Sequence, residues 1–385
     1  MPAAAAPASA PPGAAPWLAA LAGAPLPGPR QEDWRFTDLA VLARIAPHFA
    51  LSSLRVEASP LPAGIEPLAP DAATELLGSV LETSGSSQHW PVQLNRAAID
   101  QGHGAFLALR ICGRVSQPLL LSRLPGGSGL GGTQLVLLLE PGADLELLEV
   151  ISGEQAEAPA SALSSLTVVS VGEGASLRAG MLALGRPGHS LLAHWIAVQE
   201  PSSRLAVTTV LGDWDLARFE PRIVQTDGAA ETRLRTLQSC RGEQIVDTHS
   251  LVRFDGPDGS LDQLHKAMAD GRGRSVFRGA VQVPGMAQRT RAAQLSRNLL
   301  LSPRARIDTK PELEIVADDV TCTHGATVSC LRDEELFYLQ SRGIAAPQAS
   351  DLLKRAFCED VLRDLPAEAA GLNPLAHLLD PVGSS

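Results

Sequence analysis

QLVLLLEPGADLELLEVI (residues 134–151) and LTVVSVGEGASLRAGMLAL (residues 166–184) follow one pattern, in which an apolar run leads into an acidic turn and then into Gly-Ala-x-Leu. Softer versions of the pattern occur at residues 201–205 and 227–234. The recurrence, at roughly 25–32 residues, lies in the range expected for stacked repeats. These segments therefore predict a chain built from repeated strand-turn-strand units.

The units follow one another without amphipathic helices between them, which argues against a doubly wound sheet. A solenoid of stacked β coils explains the weak repeats and the many turn glycines better than a sandwich does. The motif G-x-G-x-x-G at Gly127, Gly129 and Gly132 precedes TQLVLLLE, which is a strand pattern. A dinucleotide site needs a helix at that point, so the motif does not predict nucleotide binding.

Composition restricts the partners. Of 385 residues, 45% are apolar and 19% are charged, as in globular proteins, and the formal net charge is −10. An acidic chain without a long basic run is not expected to bind nucleic acid or an anionic membrane surface. Five scattered cysteines fit a reducing compartment. Residues 1–16 are predicted to be a disordered Ala/Pro tail without the pattern of a signal peptide, and the expected location is a bacterial cytoplasm.

Helical patterns flank the predicted β region. EDWRFTDL, residues 32–39, opens a short helical piece, with Thr37 and Asp38 as capping residues. After Cys330, one helix is predicted to end at Gly343. A second carries a single apolar stripe formed by Ala349, Leu352, Leu353, Ala356 and Phe357, with Cys358 packing beside it. Such terminal helices either cap a solenoid or present a docking face.

The strongest chemical signal is PELEIVADDVTCTHGAT, residues 311–327. In an extended chain Cys322 and His324 point the same way, and a thiol beside an imidazole forms half of a zinc or iron–sulfur site. No second Cys/His cluster lies nearby in sequence to complete it. The alternative is a buried thiol next to a hydrogen-bonded imidazole. His249 and His265 leave a similar choice between an acid/base pair and structural histidines.

Longer motifs carry a family resemblance. LDQLHKAMADGRGRSVFRGAVQV, AQRTRAAQLSRNLLLSPRARIDTKPELEIVADDVTCTHGAT and LFYLQSRGI, together with EDWRFTDL, resemble the SufB/SufD family of scaffold subunits of SUF iron–sulfur cluster assembly. Within the family the SufD branch is the better match. In the SufB branch the histidine is followed by a glutamate, whereas here Gly325 follows His324, and SufB chains are longer and often carry an N-terminal cysteine cluster.

The resemblance implies a mainly β fold, a right-handed parallel β-helix core flanked by N-terminal and C-terminal helical regions. The expected organisation is a tail at 1–16, a helical and mixed domain at 17–95, the β-helix at 96–332 and a helical domain at 333–385. It also implies a non-catalytic scaffold that pairs with SufB and the ATPase SufC, builds nascent iron–sulfur clusters at the SufB–SufD interface and passes them to acceptor proteins.

The family's implicated residues fall on Cys322 and His324, with SufB supplying the missing ligands. SufC docking is expected on the C-terminal helices, through Leu336, Phe337, Leu339, Leu352, Leu353 and Phe357. Cys330, where relatives tend to lack a thiol, is expected to be a buried free cysteine. The resemblance leaves open whether reduced flavin joins the complex and whether the isolated chain forms a homodimer.

Two other functions stay open at this point. One is a stand-alone β-helix enzyme, such as a polysaccharide lyase or hydrolase, which would line a groove with several acidic and basic side chains. The other is the sister scaffold SufB.

Overall fold

The computed structural model describes residues 16–28, 30–58, 60–152 and 160–379. The predicted tail at residues 1–16 lies outside these ranges except for Pro16, which begins the first helix. No helix among the described residues is long and apolar enough to cross a membrane.

Two nine-stranded sheets form the centre of the molecule. One has the order β1-β4-β6-β8-β10-β12-β14-β16-β18 and the other the order β17-β15-β13-β11-β9-β7-β5-β3-β2. From β3 onward, successive strands alternate between the sheets and every pairing is parallel. The chain therefore winds through about eight coils as a parallel β-solenoid, which confirms the predicted fold class.

The first sheet consists of β1 (Ser53–Val56), β4 (Leu119–Leu124), β6 (Asp144–Ser152), β8 (Ser176–Leu184), β10 (Arg204–Gly212), β12 (Glu231–Cys240), β14 (Ser260–Ala269), β16 (Arg291–Leu300) and β18 (Thr321–Ser329). The second consists of β2 (Ile65–Pro67), β3 (Gly104–Ile111), β5 (Gly129–Leu139), β7 (Ser161–Val171), β9 (His189–Gln199), β11 (Leu216–Gln225), β13 (Ile245–Phe254), β15 (Arg274–Val283) and β17 (Arg306–Ile315). Because Gly129 begins a strand rather than a helix, the glycine motif there lacks the helix that a dinucleotide site needs.

The repeat read from the sequence is one coil of the solenoid. Leu145 pairs in register with Leu177, and Leu177 pairs with Leu205, so the three leucines stack in one interior column. The turn before each leucine contains a residue with left-handed backbone, which is Gly142 (φ 71°) and Gly174 (φ 64°) in the two clearest repeats. Later coils use other residues at the equivalent turn, with φ between 58° and 63°: Ser202, Ala229, Asp258 and Arg289.

Helices cover the outer faces of both sheets. The N-terminal helices pack on the second sheet, the β3–β17 sheet; they are α1 (Pro16–Ala22), α2 (Pro70–Thr83) and α3 (Trp90–Asp100). Short 3-10 helices at Glu32–Trp34 and Leu39–Arg44 pack on the same sheet. The C-terminal helices α4 (Asp333–Ser341), α5 (Ala346–Leu362) and α6 (Pro374–Leu379), with a 3-10 helix at Ala367–Leu372, follow the last strand. Of these, α5 and α6 pack on the first sheet, the β4–β18 sheet.

The two ends of the solenoid differ. At the N-terminal end, β1 pairs with β4 and β2 pairs with β3, both antiparallel, so short strands close the first coil. At the C-terminal end, β17 and β18 each pair on one side with β15 and β16 and have no second neighbour among the described strands. The last coil therefore presents two sheet edges and the end of the solenoid interior.

Candidate functional site

Cys322 and His324 lie on β18, in this last coil. Cys322 is in register with Ala292 and His324 with Gln294, and both partners are buried side chains of the interior. The prediction that the two side chains share one face is therefore confirmed by the register. Cys322 is half-buried and packs against the core, whereas His324 is exposed because no further coil covers it.

The environment of the two residues sets their chemistry. Burial raises the pKa of the Cys322 thiol, so the thiol keeps its proton at neutral pH until a cation displaces it. Around the pair, the last coil exposes apolar side chains that earlier coils keep inside: Ile315 and Val328, at 40% and 43% exposure. The thiol and the imidazole, a soft and a borderline metal ligand, thus lie at an apolar end of the solenoid, where β17 and β18 each lack a second neighbour among the described strands.

Within the described ranges of the chain, no further His, Cys, Asp or Glu side chain joins this pair in a group of three ligands. Among the described residues, one group of three ligating side chains converges, and it consists of His89, His194 and Glu220, whose ligand atoms lie within 4.8 Å of one another. This group lies on the outer face of the other sheet, beneath the N-terminal helices. Cys322 and His324 remain half of a site within the described part of this chain.

The group around Glu220 behaves as an ion-paired network rather than a metal centre. Arg218 Nε donates to Glu220 Oε1 at 2.6 Å, and Arg222 lies 3.7 Å from Oε2, the oxygen that also faces His194 at 3.1 Å. Burial alone raises the pKa of Glu220, but Arg218 and His194 bring it well below its ordinary value. Two arginines beside one carboxylate disfavour an added dication. Spacing in the sequence gave no signal for this cluster.

The N-terminal motif EDWRFTDL closes this network. Thr37 donates to Asp247 and accepts from Arg218 Nη1 at 2.8 Å, while the Arg218 guanidinium lies 3.9 Å from the Trp34 ring centroid. Asp38 caps the following 3-10 helix by accepting from Ala40 N–H. The predicted capping role is therefore confirmed for Asp38, whereas Thr37 instead satisfies buried charges.

The two central histidines are structural. His265 is fully buried, stacks on Phe277 at 4.2 Å between ring centroids, and has its pKa lowered to about 3 by burial. His249 lies on β13, in the other sheet from His265, and its Nε2 is 3.0 Å from Oδ1 of Asp247 on the same strand. Because they lie on separate sheets with separate partners, they do not form an acid/base pair.

The C-terminal helices differ in part from the predicted pattern. Phe337 on α4 and Leu352 on α5 are exposed, at 73% and 46%, and Leu336, Leu339 and Leu353 are half-buried. Phe357 turns toward the solenoid, where its ring lies 4.4 Å from Lys266 Nζ.

The single stripe predicted on α5 is thus correct only in part: Ala349 is buried and Phe357 packs on the solenoid, but Leu352 and Ala356 are exposed, and Cys358 and Val361 complete the buried face. Cys358 packs as predicted. Cys330, expected to be buried, is exposed because it follows the last strand, where no coil covers it.

A groove of about 580 Å³ runs along the outer face of the β4–β18 sheet. It contains the mixture of charges that a polysaccharide enzyme would need: Arg178, Arg204, Arg233, Arg291, Glu231 and Asp262. Asp262 is bonded to Arg235 and lies 3.6 Å from Arg233, so this carboxylate is engaged by two arginines. An acid neutralised in this way is a poor general acid or base, so Asp262 does not support the enzyme alternative.

Comparisons with known proteins point to one family. The family model described as "SUF system FeS cluster assembly, SufBD core domain" matches residues 127–357. A SufBD family iron–sulfur cluster assembly protein of Synechocystis is 46% identical over 151 residues, covering 39% of this chain and 33% of the relative. Protein ABCI7, chloroplastic, of Arabidopsis thaliana is 33% identical over 262 residues, covering 66% of this chain and 55% of the relative.

The iron–sulfur cluster assembly protein SufD of Escherichia coli is 36% identical over 155 residues, covering 40% of this chain and 37% of SufD. The matched regions thus span between about a third and just over half of these relatives' lengths. Since the family model matches more than half of its residues, the chain belongs to the SufB/SufD family of the SUF iron–sulfur cluster assembly system.

Proposed function

We propose that this chain is a SufD-type scaffold subunit that pairs with SufB and the ATPase SufC. A nascent iron–sulfur cluster is assembled where the open end of its solenoid meets SufB, and the cluster then passes to acceptor proteins. The observation that carries the proposal is the half-site of Cys322 and His324 at an end whose strand edges are unpaired. Similarity to Escherichia coli SufD and the Gly325 that follows His324 support the SufD branch.

The chemistry of the pair suits a cluster that must leave. A thiol binds iron as a thiolate and gives up its proton on binding, while a neutral imidazole binds without losing one. The thiol, whose pKa is already raised, recovers its proton when the cluster departs. SufB would provide the remaining ligands, so neither subunit alone would hold the cluster tightly.

The other parts of the chain take supporting roles in this proposal. The helical segment at 333–385 docks SufC, with Phe337 and Leu352 as exposed apolar anchors. ATP hydrolysis belongs to SufC, so this chain is itself non-catalytic, and the complex works in the cytoplasm. Without SufB, the same open end would be available to a second copy of this chain.

The test is anaerobic co-purification of this chain with SufB and SufC, followed by visible absorption of the iron–sulfur bands. His324→Ala and Cys322→Ala should leave the complex assembled but reduce the bands at least tenfold. Cys330→Ala is the matched control, because Cys330 is an exposed thiol one residue after β18. Undiminished bands in both site variants would show that the two residues are structural and would overturn the proposal.

A further inference from the structure

A ladder of buried amides leads through the solenoid interior to His324. Gln263 pairs in register with Gln294, and Gln294 pairs in register with His324. Both glutamines are buried, at 3% and 2% exposure. Because neighbouring strands are about 4.8 Å apart, the three side chains occupy successive steps of one column.

The ladder has a direction. Gln294 Nε2 donates to Gln263 Oε1 at 2.8 Å, and Gln263 Nε2 donates to the Ser250 hydroxyl at 2.8 Å. Each amide nitrogen thus points away from the open end. As a result, Gln294 Oε1, an acceptor, is left at the end of the ladder next to His324, and it has no hydrogen-bond partner among the described residues.

The Gln294 amide is held by its surroundings. Gly279 lies across the interior on β15, and a Cβ added there would lie 2.3 Å from Gln294 Nε2. The opposite sheet therefore leaves room for this amide by placing a glycine there. A buried acceptor without a donor is destabilising, so such a group is expected to have a partner in the working molecule.

We infer that Gln294 is a positioning residue for His324: in the working molecule the imidazole turns toward the residue that is its register partner, its N–H donates to Gln294 Oε1, and the other ring nitrogen is thereby directed toward the open end. The inference rests on the proposed function in one respect: iron of a nascent cluster is taken as the group that the other ring nitrogen binds. Ligating histidines commonly donate their second N–H to a fixed acceptor, which sets the tautomer and the ring orientation. The interior column supplies that acceptor from one coil below.

The experiment uses the full chain, three variants at the two glutamines, and His324→Ala for assignment of the spectra. Gln294→Met removes the acceptor at similar volume, and Gln294→Glu keeps an acceptor. Gln225→Met is the matched control, because Gln225 is also buried, also has an Oε1 without a partner in the described part of the chain, and also faces a glycine, Gly259. Nitrogen chemical shifts of ¹⁵N-labelled histidines, with His324 assigned from His324→Ala, report the ring tautomer without any cluster.

One tautomer of His324 should dominate in the parent chain, in Gln294→Glu and in Gln225→Met, and Gln294→Met should give a mixture. In the complex, Gln294→Met should weaken iron retention about 10–100-fold, with rescue by Gln294→Glu. An unchanged tautomer in Gln294→Met would overturn the inference whatever the cluster does. Loss of bands in Gln294→Met but not in His324→Ala would instead contradict the proposed ligand role of His324.

Discussion

Substitution of two exposed apolar side chains should distinguish the face proposed to bind SufB from the face proposed to bind SufC. Val328, on β18, is in register with buried Asn298 and lies over the solenoid interior at 43% exposure. Leu352, on α5, is 46% exposed. We expect Val328→Asp to abolish pairing with SufB while SufC still binds, and Leu352→Asp to have the reverse effect.

The magnitude follows from the exposed area. Fully burying a valine or leucine side chain is worth about 1.5–3 kcal/mol, and about half of each side chain is still exposed here. Loss of that contact alone therefore costs about 1 kcal/mol, or about fivefold in Kd. An aspartate enclosed without a partner adds at least about 2 kcal/mol, which raises the total loss above a hundredfold.

The assay is the Kd of each variant for separately purified SufB and SufC, measured by titration calorimetry, with thermal unfolding as the check on folding. Both variants should unfold within a few degrees of the parent chain, because the replaced side chains already face solvent. Equal weakening toward both partners, or weakening of SufC binding by Val328→Asp, would refute the assignment of the faces.

Three further predictions concern stability. Asp247→Asn should destabilise the chain by about 1–3 kcal/mol in urea unfolding, because Arg218 loses one of its two buried carboxylate partners and keeps the other, Glu220; a loss under about 0.5 kcal/mol would contradict this. Because burial lowers the folded-state pKa of His265 from 6.5 to about 3, the unfolded chain binds the extra proton, and this residue makes stability fall by about 1.4 kcal/mol per pH unit as the pH drops below 6.5. His89, whose pKa is lowered to about 4, adds a similar slope, so His265→Gln should reduce the slope of the parent chain by about half; an unchanged slope would show that His265 is not buried in its neutral form. Ala229→Gly should stabilise the chain by up to about 1 kcal/mol, because its left-handed backbone suits glycine, whereas Gly174→Ala should destabilise it by about 1–2 kcal/mol; effects of opposite sign would show that these turns are unstrained.

The sequence allowed prediction of the solenoid because its turn chemistry repeats in register. Gly142 and Gly174 show the repeat clearly, and the pattern fades later because Ser202 and Ala229 adopt the same left-handed turn without glycine. Backbone hydrogen bonds between successive turns, such as Ser202 N–H to Gly228 C=O, hold that conformation where the residue type does not favour it.

The candidate site was predictable in part. Alternation along one strand is a local property, so Cys322 and His324 could be placed on one face from the sequence alone. The position of that face at the open end depends on how many coils follow, which is a property of the whole fold. Gln294 and the network around Arg218 join residues from separate coils, so local spacing could not bring them together. Likewise, Phe357 packs on the solenoid and Leu352 faces solvent because of which side of α5 meets the sheet, and this too is a property of the whole fold.

We propose that SufB completes the half-site at the open end of the solenoid, and a crosslink from that end tests this directly. Ala326 lies on β18 two residues after His324 and is exposed in the last coil, in register with the buried Ser296. A photoreactive benzoylphenylalanine at this position, irradiated in the assembled complex, would mark whatever lies opposite. We expect a crosslink to SufB, mapped by mass spectrometry to a segment that contains cysteine, histidine or carboxylate ligands. A crosslink to SufC, or none to SufB in a complex that contains it, would show that the open end does not face SufB.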